Sequence, residues 1–372
     1  MSEWKKVKLG EITIIKTGKL DSNAAVPNGA YPFFTCDPTT LSIDKWAYDT
    51  EVILLAGNNA SGNYTAKYYK GKFNAYQRTY IIETLNPQFA SVRYMAYAMN
   101  QQLQLLKVVS SGSTTKFLTM KMLTQLSIDL PSIETQNRIA TILSRYDSLI
   151  ENYQKQIKLL EEAAQRLYKE WFIDLHFPGH ETTKIVDGVP EGWEKKKLID
   201  LVDVQYGYAF DGHLFNSKEE GTPIVRIRNI PDGYTNDYTT EEASESYIIN
   251  DGDILVGMDG IFHINTWSGG KAFLVQRACS FRPKDDSMKG FILQAIYEPI
   301  KFFENTVVGA TVAHLGKKHI DSIELLVSKN VSLYKPFEKM FNERQTLKSQ
   351  LRLLTEARDR LLPKLMSGEI TV

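Results

Sequence analysis

The chain has 372 residues, of which 43% are hydrophobic and 24% are charged, so it can bury the cores of two ordinary domains, which excludes an intrinsically disordered protein. Its 44 basic and 44 acidic side chains cancel, and a neutral chain is not typical of proteins that bind nucleic acid by bulk electrostatics. Two cysteines without a CxxC pair, and no run of about 18 apolar residues, predict a soluble cytoplasmic protein without disulfides, zinc ribbon or membrane span.

Short apolar runs bounded by Gly, Asn and Asp predict strands, and longer amphipathic stretches predict helices. In chain order, these elements are strands at 52–56 and 80–82, a helix at 91–107, strands at 224–227 and 254–256, and a helix at 289–305. The sequence therefore predicts two mixed α/β parts, one in each half of the chain.

The first half of the chain recurs in the second half. The matched positions are Trp4 with Trp193, Leu9 with Leu198, Gly18 with Gly207, Gln77-Arg78 with Gln276-Arg277, Gly112 with Gly309, and Leu118 with Leu315. The offset between partners is 189 for the first three pairs and 197 to 199 for the others, a drift that loop insertions would cause. This pattern indicates a tandem duplication of a unit of roughly 190 residues, each unit an α/β domain followed by a long helix.

Two segments carry apolar residues at heptad spacing, which is typical of long supercoiled helices. The first series is Ile139, Leu143, Tyr146, Ile150, Tyr153, Ile157, Leu160, Ala164, Leu167 and Trp171. The second is Phe337, Met340, Arg344, Leu347, Leu351, Leu354, Arg358, Leu361 and Leu365, with arginines at two positions of the seam. We expect Pro336 to open the second helix and Pro363 to end or kink it.

Two such helices can pack as an antiparallel coiled coil with pseudo-twofold symmetry. They would then hold two similar α/β domains at a fixed separation. The predicted domains are 1–133, the helical spacer 134–180, the second α/β domain 181–333, and the helical spacer 334–372.

Three motifs accompany the heptads. They are the stretch Leu130-Pro-Ser-Ile-Glu-Thr-Gln-Asn-Arg-Ile-Ala-Thr-Ile-Leu143, which continues to Trp171-Phe172, the stretch Arg360-Leu-Leu-Pro-Lys-Leu-Met-Ser-Gly-Glu-Ile370, and the Trp-x4-Leu that opens each half. They resemble, in this order, the central spacer, the C-terminal spacer and the start of each recognition domain in type I restriction-modification specificity subunits. One departure is that Val331-Ser-Leu-Tyr-Lys-Pro-Phe337 stands where a counterpart of Glu134-Thr-Gln136 is expected.

The resemblance implies that each α/β domain is a target-recognition domain that reads one half of a bipartite, asymmetric site in double-stranded DNA. It implies that the helices set the gap between the half-sites and dock two methyltransferase (modification) subunits, which restriction subunits join. It also implies no catalysis in this chain. S-adenosylmethionine, ATP and Mg would be bound by the partner subunits and not by this chain.

Two other classes of protein remain as alternatives. A self-contained methyltransferase or nuclease is disfavoured because Asn86-Pro87-Gln88-Phe89 lacks the second proline of an adenine-binding loop and no GxxxxGK[ST] loop is present. A coiled-coil protein scaffold is favoured by one observation. Residues 1–130 carry 14 basic and 9 acidic side chains, a net of +5, whereas residues 181–330 carry 16 and 23, a net of −7. If the second domain binds DNA, it needs a local basic face or phosphate contacts from its partners.

Base edges are read by amide, hydroxyl and guanidinium groups, and phosphates by positive charge and backbone N–H groups. In the first domain these criteria select Asn58, Asn59, Asn63, Tyr64, Gln77, Arg78, Ser113, Thr114 and Lys116. In the second they select Arg226, Arg228 and Asn229, which follow a predicted strand, together with Gln276, Arg277, Lys317 and Lys318 as contacts to the DNA backbone. An ordinary hairpin turn at 57–64 and strand-packing tyrosines are the structural alternatives, and shared residues cannot alone explain two different half-sites.

Overall fold

The structure, a computed structural model, describes residues 4–58, 64–109, 118–306 and 313–372. The chain divides into two compact units, Met1–Leu149 with Thr355–Val372, and Ile150–Leu354. Each unit therefore combines one α/β part with segments of both long helices. No helix in these described ranges is long and apolar enough to cross a membrane.

The first unit is built on a six-stranded sheet. The strands of the unit are β1 (Lys5–Lys8), β2 (Thr13–Thr17), β3 (Tyr31–Phe34), β4 (Leu41–Ile43), β5 (Tyr48–Ala56), β6 (Ala66–Ala75), β7 (Thr79–Thr84) and β8 (Ser127–Leu130). Its helices are α1 (Leu9–Ile12), α2 (Val92–Val109) and α3 (Met120–Thr124). The sheet order is β2-β7-β5-β6-β3-β4, and β1 pairs separately with β8. All pairs are antiparallel except β3 with β6.

The central strand β5 contains the unbroken apolar run Val52–Leu55, and the packing on both of its faces explains why. Ile53 and Leu55 pack with α2 in one hydrophobic core, whereas Val52 and Leu54 pack with Phe73 in a second core. Successive side chains of a strand point to opposite faces. Because both faces of β5 are covered, all four residues are apolar.

Helix α4 (Ile133–Tyr168) follows β8 and continues the chain into the second unit. The strands there are β9 (Ile185–Val186), β10 (Val189–Pro190), β11 (Trp193–Lys197), β12 (Val202–Tyr206), β13 (Phe215–Asn216), β14 (Thr222–Val225), β15 (Tyr238–Thr239), β16 (Ile248–Ile249), β17 (Ile254–Gly257), β18 (Ile264–Thr266), β19 (Ala272–Leu274), β20 (Ala278–Pro283) and β21 (Glu324–Ser328). The helices are α5 (Leu198–Leu201), α6 (Lys289–Ala295), α7 (Tyr297–Thr306), α8 (Lys317–Asp321) and finally α9 (Lys335–Ser367).

The strand pairing confirms the tandem repeat. The β1–β8 pair recurs as β11–β21, and the order β2-β7-β5-β6 recurs as β12-β20-β17-β18. The parallel pair of β3 with β6 recurs as β14 with β19, because the long strand β6 corresponds to two shorter strands, β18 and β19. The predicted strand at 224–227 ends at Val225, since Ile227–Asn229 forms a 3-10 turn.

The leucine and glycine positions that recur in the two halves have the same structural role in each unit. Leu9 and Leu198 each begin a short helix and are fully buried. A Cβ on Gly18 would lie 2.1 Å from the carbonyl oxygen of Ala75, and one on Gly207 would lie 2.1 Å from that of Val275. Only glycine allows the chain to pass so close to the neighbouring backbone in either unit.

Within each unit, the segments of α4 and α9 lie against each other. In the first unit Ile139 and Leu143 share a core with Leu365, and in the second Arg344 contacts Glu161. Of the predicted seam residues, Ile139, Leu143, Ile150 and Leu347 are buried, and Ile157, Leu160, Leu167, Leu351, Leu354 and Leu361 are half-buried.

The proline predictions have different outcomes. Pro336 lies in the first turn of α9, as predicted. Pro363 was expected to end or kink the helix. It does not end it, because α9 continues to Ser367 and stops at Gly368, which has φ +76°. Pro363 has no N–H to donate to the carbonyl of Asp359, and both residues are exposed.

Gly18→Ala and Gly207→Ala should each destabilise the protein, because the new Cβ would overlap backbone that cannot retreat. We expect a loss of about 1–3 kcal/mol or more for each, measured by chemical denaturation. Gly212→Ala is the matched control, since nothing lies within 4 Å of its Cβ position. Equal stability of all three variants would contradict the proposed role of the two glycines.

Candidate nucleic-acid interface

In the first unit, Gln77 and Arg78 form the turn between β6 and β7. Both side chains are exposed. The N–H of Gln77 donates to the carbonyl of Leu20 at 2.9 Å, and the N–H of Gly57 donates to the carbonyl of Arg78 at 2.8 Å. The turn is thus held by backbone contacts. Asn58, which is half-buried, directly follows Gly57, the residue that contacts the turn.

The remaining predicted residues of this unit are distributed differently. Asn59, Asn63, Ser113, Thr114 and Lys116 lie outside the described residues. Tyr64 is half-buried and packs against the larger core of the unit. Its neighbour Tyr68 also packs there, donates to Glu51 Oε1 at 3.0 Å, and lies beneath the guanidinium of Arg93. These tyrosines have structural contacts, as in the strand-packing alternative.

In the second unit, the three predicted residues after β14 converge on one carboxylate. Asp237 accepts from Arg226 Nη2 at 2.8 Å, from Arg228 Nη2 at 2.8 and 2.9 Å, and from Asn229 Nδ2 at 3.1 Å. The side chain of Arg228 is 64% exposed, whereas that of Asp237 is only 17% exposed. The carboxylate therefore lies beneath the surface and orients an exposed guanidinium.

A second carboxylate orients the repeated turn. Gln276 and Arg277 lie between β19 and β20, with both side chains exposed. Arg277 Nη1 donates to Asp259 Oδ2 at 2.6 Å, and His314 Nδ1 lies 2.6 Å from Asp259 Oδ1. Partial burial raises the pKa of Asp259, but the hydrogen bonds and charges of His314 and Arg277 outweigh it and hold that pKa below its ordinary value.

Lys317 and Lys318, both exposed, begin the five-residue helix α8. This segment is tied to the same region, since the N–H of Leu315 donates to the carbonyl of Met258 at 2.7 Å. The structure therefore brings Arg277, Lys317 and Lys318 to one part of the second unit, whereas Arg226, Arg228 and Asn229 form a separate cluster around Asp237.

Sequence reasoning selected the cations and missed the carboxylates and the histidine that hold them. Asp259 could have been predicted from the repeat, because it follows strand β17 at the position that the predicted residue Asn58 has after strand β5. Asp237 and His314 carry no such local signal. Their contacts with the arginines depend on how separate loops meet in the folded unit.

Comparison with known proteins identifies the family. The profile described as the type I restriction modification DNA specificity domain matches residues 1–162 and again residues 190–328. The EcoDI specificity subunit of Escherichia coli is 32% identical over 225 residues, which cover 54% of this chain and 49% of that subunit. The MjaIX specificity subunit of Methanocaldococcus jannaschii is 30% identical over 300 residues, covering 75% of this chain and 68% of that subunit. The chain belongs to the type I restriction-modification DNA specificity family.

The fold agrees with this assignment. A crystal structure of the type I restriction-modification S subunit from M. genitalium superposes with a TM-score of 0.66 at 18% identity, covering 98% of this chain and 96% of that one. The chain spans about half the length of its E. coli relative. The resemblance inferred from the spacer motifs and the predicted mixed α/β tandem fold are thereby confirmed.

Asp237→Asn should destabilise the second unit, because it removes the charge that compensates two neighbouring guanidinium groups. We expect a loss of about 1–3 kcal/mol, measured by thermal or chemical unfolding. Asp232→Asn, at an exposed position nearby in sequence, provides the same charge change as a control. If both variants are as stable as the original chain, Asp237 does not organise the cluster.

Proposed function

We propose that this chain is the DNA-reading subunit of a type I restriction-modification complex, with each unit reading one half of a bipartite, asymmetric site. The observation that carries the proposal is the duplication of an exposed Gln-Arg turn, at 77–78 and 276–277, on equivalent parts of two units. Guanidinium and amide groups on such turns suit contacts with base edges and phosphates in the major groove. Two copies on one chain suit two half-sites.

The names of the relatives support the division of labour that we propose. They are called specificity subunits of restriction enzymes, so we place catalysis in partner chains: two adenine-N6 modification subunits and the restriction subunits. S-adenosylmethionine, ATP and Mg belong to those partners. The complex would act in the cytoplasm, where double-stranded DNA is accessible to it.

Helices α4 and α9 would set the gap between the half-sites, and a seam arginine in each unit supports this role. In the second unit Arg344 is 10% exposed and donates to Glu161 on α4, and to Thr266 and Asn265 on β18. In the first unit Arg358 pairs with Asp147 on α4 at 3.0 Å. Asp147 also accepts from Tyr97 on α2. In each unit the arginine's contacts therefore join both helices to the α/β part.

The decisive experiment is methylation mapping. The chain is co-expressed with its cognate modification subunit in a host that lacks adenine methylation, and the DNA is sequenced for N6-methyladenine. We expect one bipartite motif with a fixed gap, which disappears when this chain is omitted. Methylation by this chain alone would instead show an active site within it.

The scaffold alternative rests on the acidic second half and makes a different prediction in the same experiment. A soluble complex without any methylated motif, whose affinity for duplex DNA does not depend on salt, would favour the scaffold. A DNA-reading subunit should lose affinity as salt rises, because phosphate contacts release counterions.

Arg344→Ala should destabilise the second unit, because Glu161, Thr266 and Asn265 lose a shared donor in a largely buried place. Because Glu161 is 46% exposed and can be rehydrated, we expect a loss of about 1–3 kcal/mol, the cost of leaving the acceptors on Thr266 and Asn265 unsatisfied. We also expect weaker methylation of the motif as the unit loses its fixed position on the helices. Stability is measured by denaturation and methylation by sequencing. Lys339→Ala, at an exposed position of the same helix, is the control. If the stability and the methylation of Arg344→Ala equal those of the original chain, Arg344 does not help the helices to set the gap between the half-sites.

A further inference from the structure

The two Gln-Arg turns sit on equivalent scaffolds with unlike neighbours. The carbonyl of Arg78 accepts from Gly57 at 2.8 Å, and that of Arg277 accepts from Met258 at 2.8 Å. The carbonyl of Gly57 accepts from Leu118 at 3.0 Å, and that of Met258 accepts from Leu315 at 2.7 Å. Met258 is therefore the equivalent of Gly57, so Asp259, which follows Met258, is the equivalent of Asn58, which follows Gly57.

At this equivalent place the two units carry different chemistry, because Asn58 stands where the second unit has Asp259. The sequences also differ before the matched leucines: His314 precedes Leu315, whereas Phe117, which lies outside the described residues, precedes Leu118. The shared Gln-Arg pairs cannot distinguish two half-sites. The unlike neighbours can, because they change which donors and acceptors surround the shared arginine.

In the second unit the unlike residues and the arginine form one cluster. The backbones of Asp259 and His314 pair as an antiparallel bridge, which fixes the two side chains beside each other. Asp259 is 14% exposed, whereas Arg277 is 68% and His314 is 58% exposed. The carboxylate is thus the base of the cluster, and a guanidinium and an imidazole stand above it at the surface.

The carboxylate limits how both side chains can turn. It engages Nη1 of Arg277 and Nδ1 of His314, so the other guanidinium nitrogens and Nε2 of the ring are directed elsewhere. The backbone of Arg277 has φ +69°, a left-handed conformation that a side chain adopts only where the surroundings impose it. Arg78 is not among the residues with positive φ, so the constraint belongs to the second unit.

We propose that Arg277 and His314 are base-contacting residues of the second unit, that Asp259 is the residue that positions them, and that Arg277 reads a guanine. This inference rests on the proposed function. Guanine presents two acceptors, O6 and N7, in the major groove, and an oriented guanidinium is the side chain that matches them best. The cluster gives the second unit a base preference that its first-unit counterpart, with Asn58 in place of Asp259, does not share.

The test is methylation mapping with Arg277→Ala, His314→Phe and Asp259→Asn, each in the full chain with its modification subunit. For Arg277→Ala we expect discrimination at one guanine of the second half-site to fall by about 10-fold to 100-fold, the range of a good bidentate contact. For Asp259→Asn and His314→Phe we expect relaxed preference at that base or an adjacent one. The first half-site and the gap should stay as in the original chain. Asp286→Asn, which removes an exposed ion pair in the same unit, is the charge-matched control.

The outcomes separate this inference from the proposed function. An original chain that directs no bipartite methylation removes the basis of both. If Arg277→Ala directs the same bipartite motif as the original chain, or changes only the first half-site, the inference is wrong but the proposed function stands. Arg277 and His314 are exposed, so their variants carry the test even if Asp259→Asn does not fold. A structural role for the cluster would lower methylation without changing the preferred base.

Discussion

The seam arginines of α9 are the constraint on which the arrangement within each unit depends. A guanidinium in a buried place is tolerated only when its donors are paired. In the second unit Arg344 meets this condition with Glu161 on α4 at 2.7 Å and with Thr266 and Asn265 on β18 at 2.6 and 2.8 Å. Because those acceptors come from two elements, moving the sheet away from the helices would break the two hydrogen bonds of Arg344 to β18 and leave only its pair with Glu161.

Lys348 strengthens the same constraint one turn further along α9. Its Nζ donates to Asn265 Oδ1 and to the carbonyl and hydroxyl of Thr266. Burial, and then the charge of Arg344, lower the pKa of Lys348 well below its usual range. Two cations thus converge on the edge of β18, where neutral oxygen acceptors and one carboxylate hold them. Such polar contacts have strict geometry, which apolar packing of leucines alone would not impose.

The sequence predicted the repeat and the long helices because both depend on local patterns. The heptad from Ile139 to Trp171 falls within α4 and the turn that continues it to Ile173. The matched Leu9 and Leu198 begin equivalent short helices, and Gly18 and Gly207 make the same close backbone approach. The matched Gly112 and Gly309 lie outside the described residues. The contacts of Arg344 were beyond this reasoning, because Asn265 and Thr266 lie 79 and 78 residues away. The candidate site has the same limit. Arg226, Arg228 and Arg277 were identified by residue type, whereas their carboxylate partners depend on loops that meet only in the folded chain.

The pairing of arginines with carboxylates also explains how an acidic unit can present a basic surface. Asp237, Asp253 and Asp259 are largely buried, and each pairs with at least one arginine of the second unit. They contribute to the negative count of residues 181–330, yet Asp237 lies beneath the guanidinium of Arg228, Asp259 lies beneath that of Arg277, and Asp253 pairs with Arg282. The net charge of the second unit therefore does not describe the charge at its surface near Arg228 and Arg277. A surface with few, oriented cations favours selective contacts over a long-range field.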